Sequence, residues 1–189
     1  MVLAIKKGVR KEHENPTFRL DASILDAIRR DSADEGSSAN SLANRQLERF
    51  TEWDRLETKI GFTTVRQRMF REMLARVPPE DLVALGREQG PAEAREFMLV
   101  RWKSISLRNF VRFINSYAKF ATQFELQHHE GEEHKLVLVH SLGENWSIYL
   151  EAFLLAALDQ VFGVEAFSEH TDESVVLSFP DVDTPEAEA

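Results

Sequence analysis

The sequence predicts an α+β protein, and three observations predict it. A short alternating segment near the N-terminus leads into two helical patterns split by a glycine. The middle of the chain repeats helical spacing between proline-marked breaks. The last third alternates apolar and polar residues on either side of one long apolar helix. Its order, strand-strand-helix-strand-strand, predicts a C-terminal antiparallel β-β-α-β-β layer with the helix over the sheet.

The N-terminal pattern comes first. Phe18 and Leu20 alternate with Asn15, Thr17 and Arg19, which gives one apolar and one polar strand face. Pro16 donates no ladder hydrogen bond, so this strand is restricted to a sheet edge or a strand start. Ile24, Leu25, Ile28 and Ser32 share one face of a first helix, and Gly36 stands where a helix ends in a left-handed residue. Ser37 and Ser38 suit the start of a second helix, whose buried stripe would be Leu42, Ala43, Leu47 and Phe50. A lone strand on two short helices leaves its apolar face uncovered. The pattern therefore predicts a second copy.

Residues 54–121 read as four helices over 64–75, 79–89, 91–103 and 106–121. Pro78-Pro79 and Gly90-Pro91 separate them, each second proline suiting the first turn of the next helix. The fourth places Leu107, Phe110, Val111, Ile114, Tyr117 and Ala121 on one stripe, read as core. Beyond it, strands over 124–128 and 136–140 flank a Glu-Gly-Glu-Glu turn. A largely apolar helix over 144–162 carries Trp146, Tyr149, Phe153, Leu154 and Val161, and strands over 164–168 and 174–179 follow. From Pro180 the chain is acidic and holds too little apolar content to fold, so residues 181–189 read as a disordered tail. The expected division is an arm (1–13), an N-terminal domain (14–53), a helical plus α+β domain (54–180) and that tail.

The 189 residues suffice for one large domain or two small ones. There is no cysteine, which rules out disulfides and cysteine-ligated metal. The start of the chain is too short and too early charged for a secretory signal. The longest apolar run, 152–158, is far short of a membrane span, so a cytoplasmic, membrane-free location is expected. Net charge is -9, yet residues 1–53 hold nine Lys/Arg and nine Asp/Glu, so the rest of the chain carries the whole acidic excess. Net charge governs steering and solubility more than any local binding face.

Residues 14–53 resemble the ribbon-helix-helix family of DNA-binding repressors, the MetJ, Arc and CopG group. The resemblance lies in Phe18-Arg19-Leu20, Ile24-Leu25-x-x-Ile28, Gly36 and Ser38-Ala-Asn-Ser41-Leu42. It implies a homodimer, or a higher even oligomer, whose paired strands lie in the major groove of double-stranded DNA. Asn15, Thr17 and Arg19 would then face the bases, Arg19 suited to a guanine edge and Asn15 to adenine. Ser37, Ser38 and the free N–H groups of the second helix would hold a phosphate. Lys6, Lys7, Arg10 and Lys11 would form a flexible basic arm beside them. The implied dimer core is Phe18, Leu20, Ile28, Leu42 and Leu47. The expected function is a sequence-specific transcriptional regulator of repressor type, with the C-terminal region dimerising or sensing an effector.

Chemistry elsewhere is sparse. His128, His129, His134 and His140 cluster around one hairpin, similar to the nickel-responsive repressors of the same family, but the cysteine of that site is missing here. They are weak metal candidates, and no metal or other cofactor is assigned. The turn before Asn145 leaves a strand and starts a helix, so its N–H groups suit an anion, although Asn145 serves equally as a plain cap. Ser141, His140 and Asp172 do not make a hydrolase: adjacent residues on a strand face opposite ways, and neither G-x-S-x-G nor H-E-x-x-H occurs. No enzyme activity is expected. A protein-interaction or antitoxin-like module, and a metal or small-molecule sensor, stay open as alternatives.

Overall fold

The computed structural model describes residues 17–131, 133–181 and 187–188. The chain separates into two compact units, Met1–Leu47 and Glu48–Ala189.

In the first unit, residues 17–21 have no regular structure. The strand expected over 15–20 is thus not formed by its described part, and Asn15 and Pro16 lie outside the described residues. Helix α1 (Ala22–Asp34) starts after Asp21, whose extended backbone turns its carbonyl to accept from the Ile24 and Leu25 amides. It ends as the sequence predicts. Gly36 takes φ +64°, its amide donates to Ala33 O, and the Ser37 amide reaches back to Ser32 O at 2.8 Å. Only a residue without a Cβ adopts that conformation without strain. Helix α2 (Ala39–Arg49) follows, capped by the Ser38 hydroxyl, which accepts from the Ser41 amide at 3.1 Å.

The second unit opens with a wide helical turn, Phe50–Asp54, then α3 (Arg55–Ile60), closed by Gly61, and α4 (Gln67–Leu74). Next comes α5 (Pro79–Trp102), an unbroken helix of 24 residues. The break expected at Gly90-Pro91 does not occur. Pro91 removes one helical hydrogen bond, a penalty of about 3 kcal/mol. Burying Leu82, Phe97 and Met98 on the same helix gains about 1.5–3 kcal/mol each, which outweighs it.

After β1 (Ser104–Ile105), α6 (Leu107–Ser116) is capped by Ser106, whose hydroxyl accepts from the Asn109 amide. The expected helix over 106–121 finishes as a wide turn, Tyr117–Ala121, stopped by Thr122 at φ +53°. Strands β2 (Glu125–Glu130) and β3 (Glu133–Val139) form the expected hairpin. Helix α7 (Glu144–Ala157), continued by a wide turn to Phe162, leads to β4 (Phe167–His170) and β5 (Ser174–Pro180).

The sheet is antiparallel in the order β2-β3-β5-β4, with Leu136 opposite Leu177 and Leu138 opposite Val175. Those four residues are completely buried. Alternation on β3 and β5 thus sends one face to the core, as the period of two requires. Helix α7 is largely apolar because it packs on α5 as well as on β4 and β5. Within the region expected to be unfolded, β6 (Ala187–Glu188) lies antiparallel to β1. No helix among the described residues is long and apolar enough to cross a membrane.

Glycine sets how closely α5 and α7 approach. A Cβ on Gly86 would lie 2.6 Å from the Tyr149 carbonyl oxygen, and one on Gly90 only 2.2 Å from that of Phe153. Backbone rests directly on backbone there. The pair at i and i+4 presents one smooth face, which is why the local Gly-Pro stop signal loses to packing.

Candidate functional site

Of the residues expected to face DNA, Thr17 and Arg19 lie exposed in the irregular segment before α1. Asn15, Lys6, Lys7, Arg10 and Lys11 lie outside the described residues. The Ser38 hydroxyl is engaged in capping α2, while the Ser37 hydroxyl is buried without a hydrogen-bond partner. The expected dimer core divides sharply. Leu42 is 6% exposed and already covered within one chain, and Ile28 is half-buried. Phe18, Leu20 and Leu47 are 65%, 52% and 50% exposed. Ile24 on α1 stands out to solvent beside them in sequence.

The histidines are spread over separate contacts. His128 Nε2 and His134 Nδ1 are 2.9 Å apart with rings stacked, and His134 stacks in turn on Phe179. Burial, followed by the neighbouring His134, lowers the His128 pKa, since a charged ring there loses hydration. His134 Nε2 faces Asp181 at 3.3 Å, and His129 is exposed. His140 turns instead into the core, where its Nε2 meets the Ser147 hydroxyl. Among the described residues no three His, Asp or Glu side chains converge as metal ligands would.

Asn145 has a role that its sequence position does not advertise. Its amide nitrogen donates to Leu74 O at 2.7 Å, which also accepts from the Val77 amide, and to Val77 O at 3.0 Å, bracing the turn where α4 ends. That side chain is therefore committed to structure. Ser141 accepts a hydrogen bond from Gln67, away from the His140–Ser147 pair.

One concave site stands apart from these. A cavity of about 310 Å³ opens within the second unit, walled by α4, α5, α6 and α7. Its surface is mostly aromatic: Phe113 and Tyr117 from α6 and its turn, Trp146, Tyr149 and Phe153 from α7, Phe70 from α4, and Phe62 before it. These rings touch in sequence, Phe70 to Trp146 at 5.5 Å, Trp146 to Tyr149 at 5.2 Å and Phe113 to Tyr117 at 4.8 Å between centroids. Set into that wall is Glu93 of α5. Burial, then the nearby Glu96, raises the Glu93 pKa, and burial together with Glu93 raises those of Tyr117 and Tyr149. The Trp146 indole N–H is buried and makes no hydrogen bond among the described residues.

Family models, curated proteins and solved structures give no match to this chain. Glu93, Tyr117, Trp146 and Tyr149 are the residues that sequence reasoning missed as a set. The three aromatics fall at helical spacing among other apolar residues, where spacing alone cannot tell a packed ring from one beside a gap, and Glu93 sits among the polar residues of its helix.

Proposed function

We propose that the chain is a sequence-specific DNA-binding transcriptional regulator of repressor type, acting as a dimer through residues 14–53. The second unit then dimerises further or senses an effector. The observation that carries this reading is the exposure of Phe18, Leu20 and Leu47 on a unit whose helix-glycine-helix geometry has the expected cap and left-handed glycine. Large apolar side chains left bare on a small unit call for a covering surface. A second copy covers them if the two segments pair as antiparallel strands, and the same pairing turns Thr17 and Arg19 outward together.

Gel shift against fragments of the source genome tests it. Binding should weaken steeply with salt, because released counterions contribute to affinity. It should fall sharply on Arg19→Ala combined with Thr17→Ala. Binding that these substitutions leave intact contradicts the ribbon mechanism.

The acidic excess in residues 54–189 supports a second reading, a protein-interaction or antitoxin-like module. There the dimer is kept and the acidic body grips a protein. Capture of a protein partner from nuclease-treated lysate, with no shift of any genomic fragment, would favour it.

A further inference from the structure

The aromatic cavity has the composition of a binding site and the polar groups of an unfinished one. Glu93 makes no hydrogen bond or ion pair among the described residues, although it is half-buried between α5 and the aromatic wall. The hydroxyls of Tyr117 and Tyr149 likewise have no hydrogen-bond partner among the described residues. Trp146 is 6% exposed, and its N–H is buried with no partner among the described residues. The Glu93 carboxylate and both hydroxyls keep solvent access, so they are open to a ligand in a hollow otherwise walled by aromatic faces. The volume of about 310 Å³ lies at the small end of ligand pockets, which run from about 300 to 1,000 Å³.

Charge selects the ligand. A bare carboxylate inside a ring of tyrosine, tryptophan and phenylalanine faces favours a cation, which gains from the carboxylate and from the negative faces of the rings together. A carboxylate-bearing ligand would meet Glu93 as a like charge in a poorly hydrated site. The aromatic walls add a flat apolar body to the specification.

We propose that this cavity binds a small protonated arylalkylamine, its ammonium group at Glu93 between Tyr117 and Tyr149 and its ring against Trp146, Phe113 and Phe153. Burial, then Glu96, raises the Glu93 pKa, and a cation seated beside the carboxylate would oppose both effects. The role as effector rests on the regulator reading, but occupancy does not, and it is measured without DNA.

The test is isothermal titration of the full chain with tyramine, 2-phenylethylamine and tryptamine. The controls are 4-ethylphenol, which lacks the amine, and 3-(4-hydroxyphenyl)propionate, which replaces it with a carboxylate. At least one amine should bind saturably, tenfold or more tighter than 4-ethylphenol, and the propionate should not bind. Glu93→Gln, a nearly isosteric change, should erase the preference for amine over 4-ethylphenol while the thermal melt stays in place. No saturable binding by any of the three amines, or amine binding indifferent to Glu93→Gln, overturns the proposal. Amine binding with no DNA shift under any condition would keep this site and sink the regulator instead.

Discussion

The His140 imidazole and the Ser147 hydroxyl meet at 2.9 Å in the core, both side chains buried. The Leu142 amide donates to the other ring nitrogen, Nδ1, at 3.3 Å. In the neutral ring the proton therefore sits on Nε2 and donates to Ser147. The pair ties the end of β3 to the first turn of α7.

Burial lowers the His140 pKa, and Asp172 only partly opposes this. The unfolded chain then binds more protons than the folded one below the ordinary histidine value of about 6.5, so this group's contribution is present at pH 7.5 and lost as pH falls through that value. NMR titration should show the His140 ring staying neutral below pH 6.5. Urea melts between pH 7.5 and 5.5 should fall more steeply for the native chain than for Ser147→Ala/His140→Gln. Equal slopes would show that the imidazole is not held neutral.

Gly90→Ala should be among the most damaging small substitutions in the chain. The added methyl would sit 2.2 Å from the Phe153 carbonyl oxygen, against backbone that has no rotamer to change. The expected loss is at the upper end of about 1–3 kcal/mol for overpacking, read as a lower urea midpoint. Gly86→Ala, with its closest contact at 2.6 Å, should lose less. Pro91→Ala restores an amide donor to the helix and should be neutral or stabilising.

Phe18 and Leu42 separate dimerisation from folding. Leu42→Ala removes a side chain already buried in one chain and should destabilise the fold itself by about 2–5 kcal/mol. Phe18→Ala changes an exposed side chain and should leave the melting of the single chain alone while shifting sedimentation toward monomer. An unchanged sedimentation profile for Phe18→Ala would place the dimer interface elsewhere.

Asn145→Ala should loosen α4 without unfolding the sheet. Val77 O loses the Asn145 donor while Leu74 O keeps that of the Val77 amide, and an unsatisfied group costs about 1–3 kcal/mol unless water replaces it. Hydrogen exchange should quicken over residues 67–77 while β3 and β5 keep their protection. Uniform loss across both regions would show that Asn145 supports the whole core.

The antiparallel layer was legible because strand alternation and turn residues are local signals: Leu136 and Leu138, or Val175 and Leu177, declare their face by spacing alone. The cap at Ser38 and the stop at Gly36 were legible for the same reason. The continuity of α5 was not, because Gly90-Pro91 reads as punctuation until Phe153, some sixty residues later, is known to rest on it. The same distance hid the Asn145 contacts with Leu74 and Val77. The cavity was hidden more deeply, since Tyr117 and Trp146 look like core in any pattern and only the missing partner of Glu93 says otherwise.

The glycine contact between α5 and α7 makes the cavity mechanically lopsided. Trp146, Tyr149 and Phe153 stand on a helix whose main chain is pinned at two points, so that wall is stiff. Phe62 lies in the irregular stretch 62–66, and Phe70 on the short α4 that follows it. Any molecule slightly too large for the hollow would be accommodated on their side, and the strain would be released toward α4 rather than into the sheet.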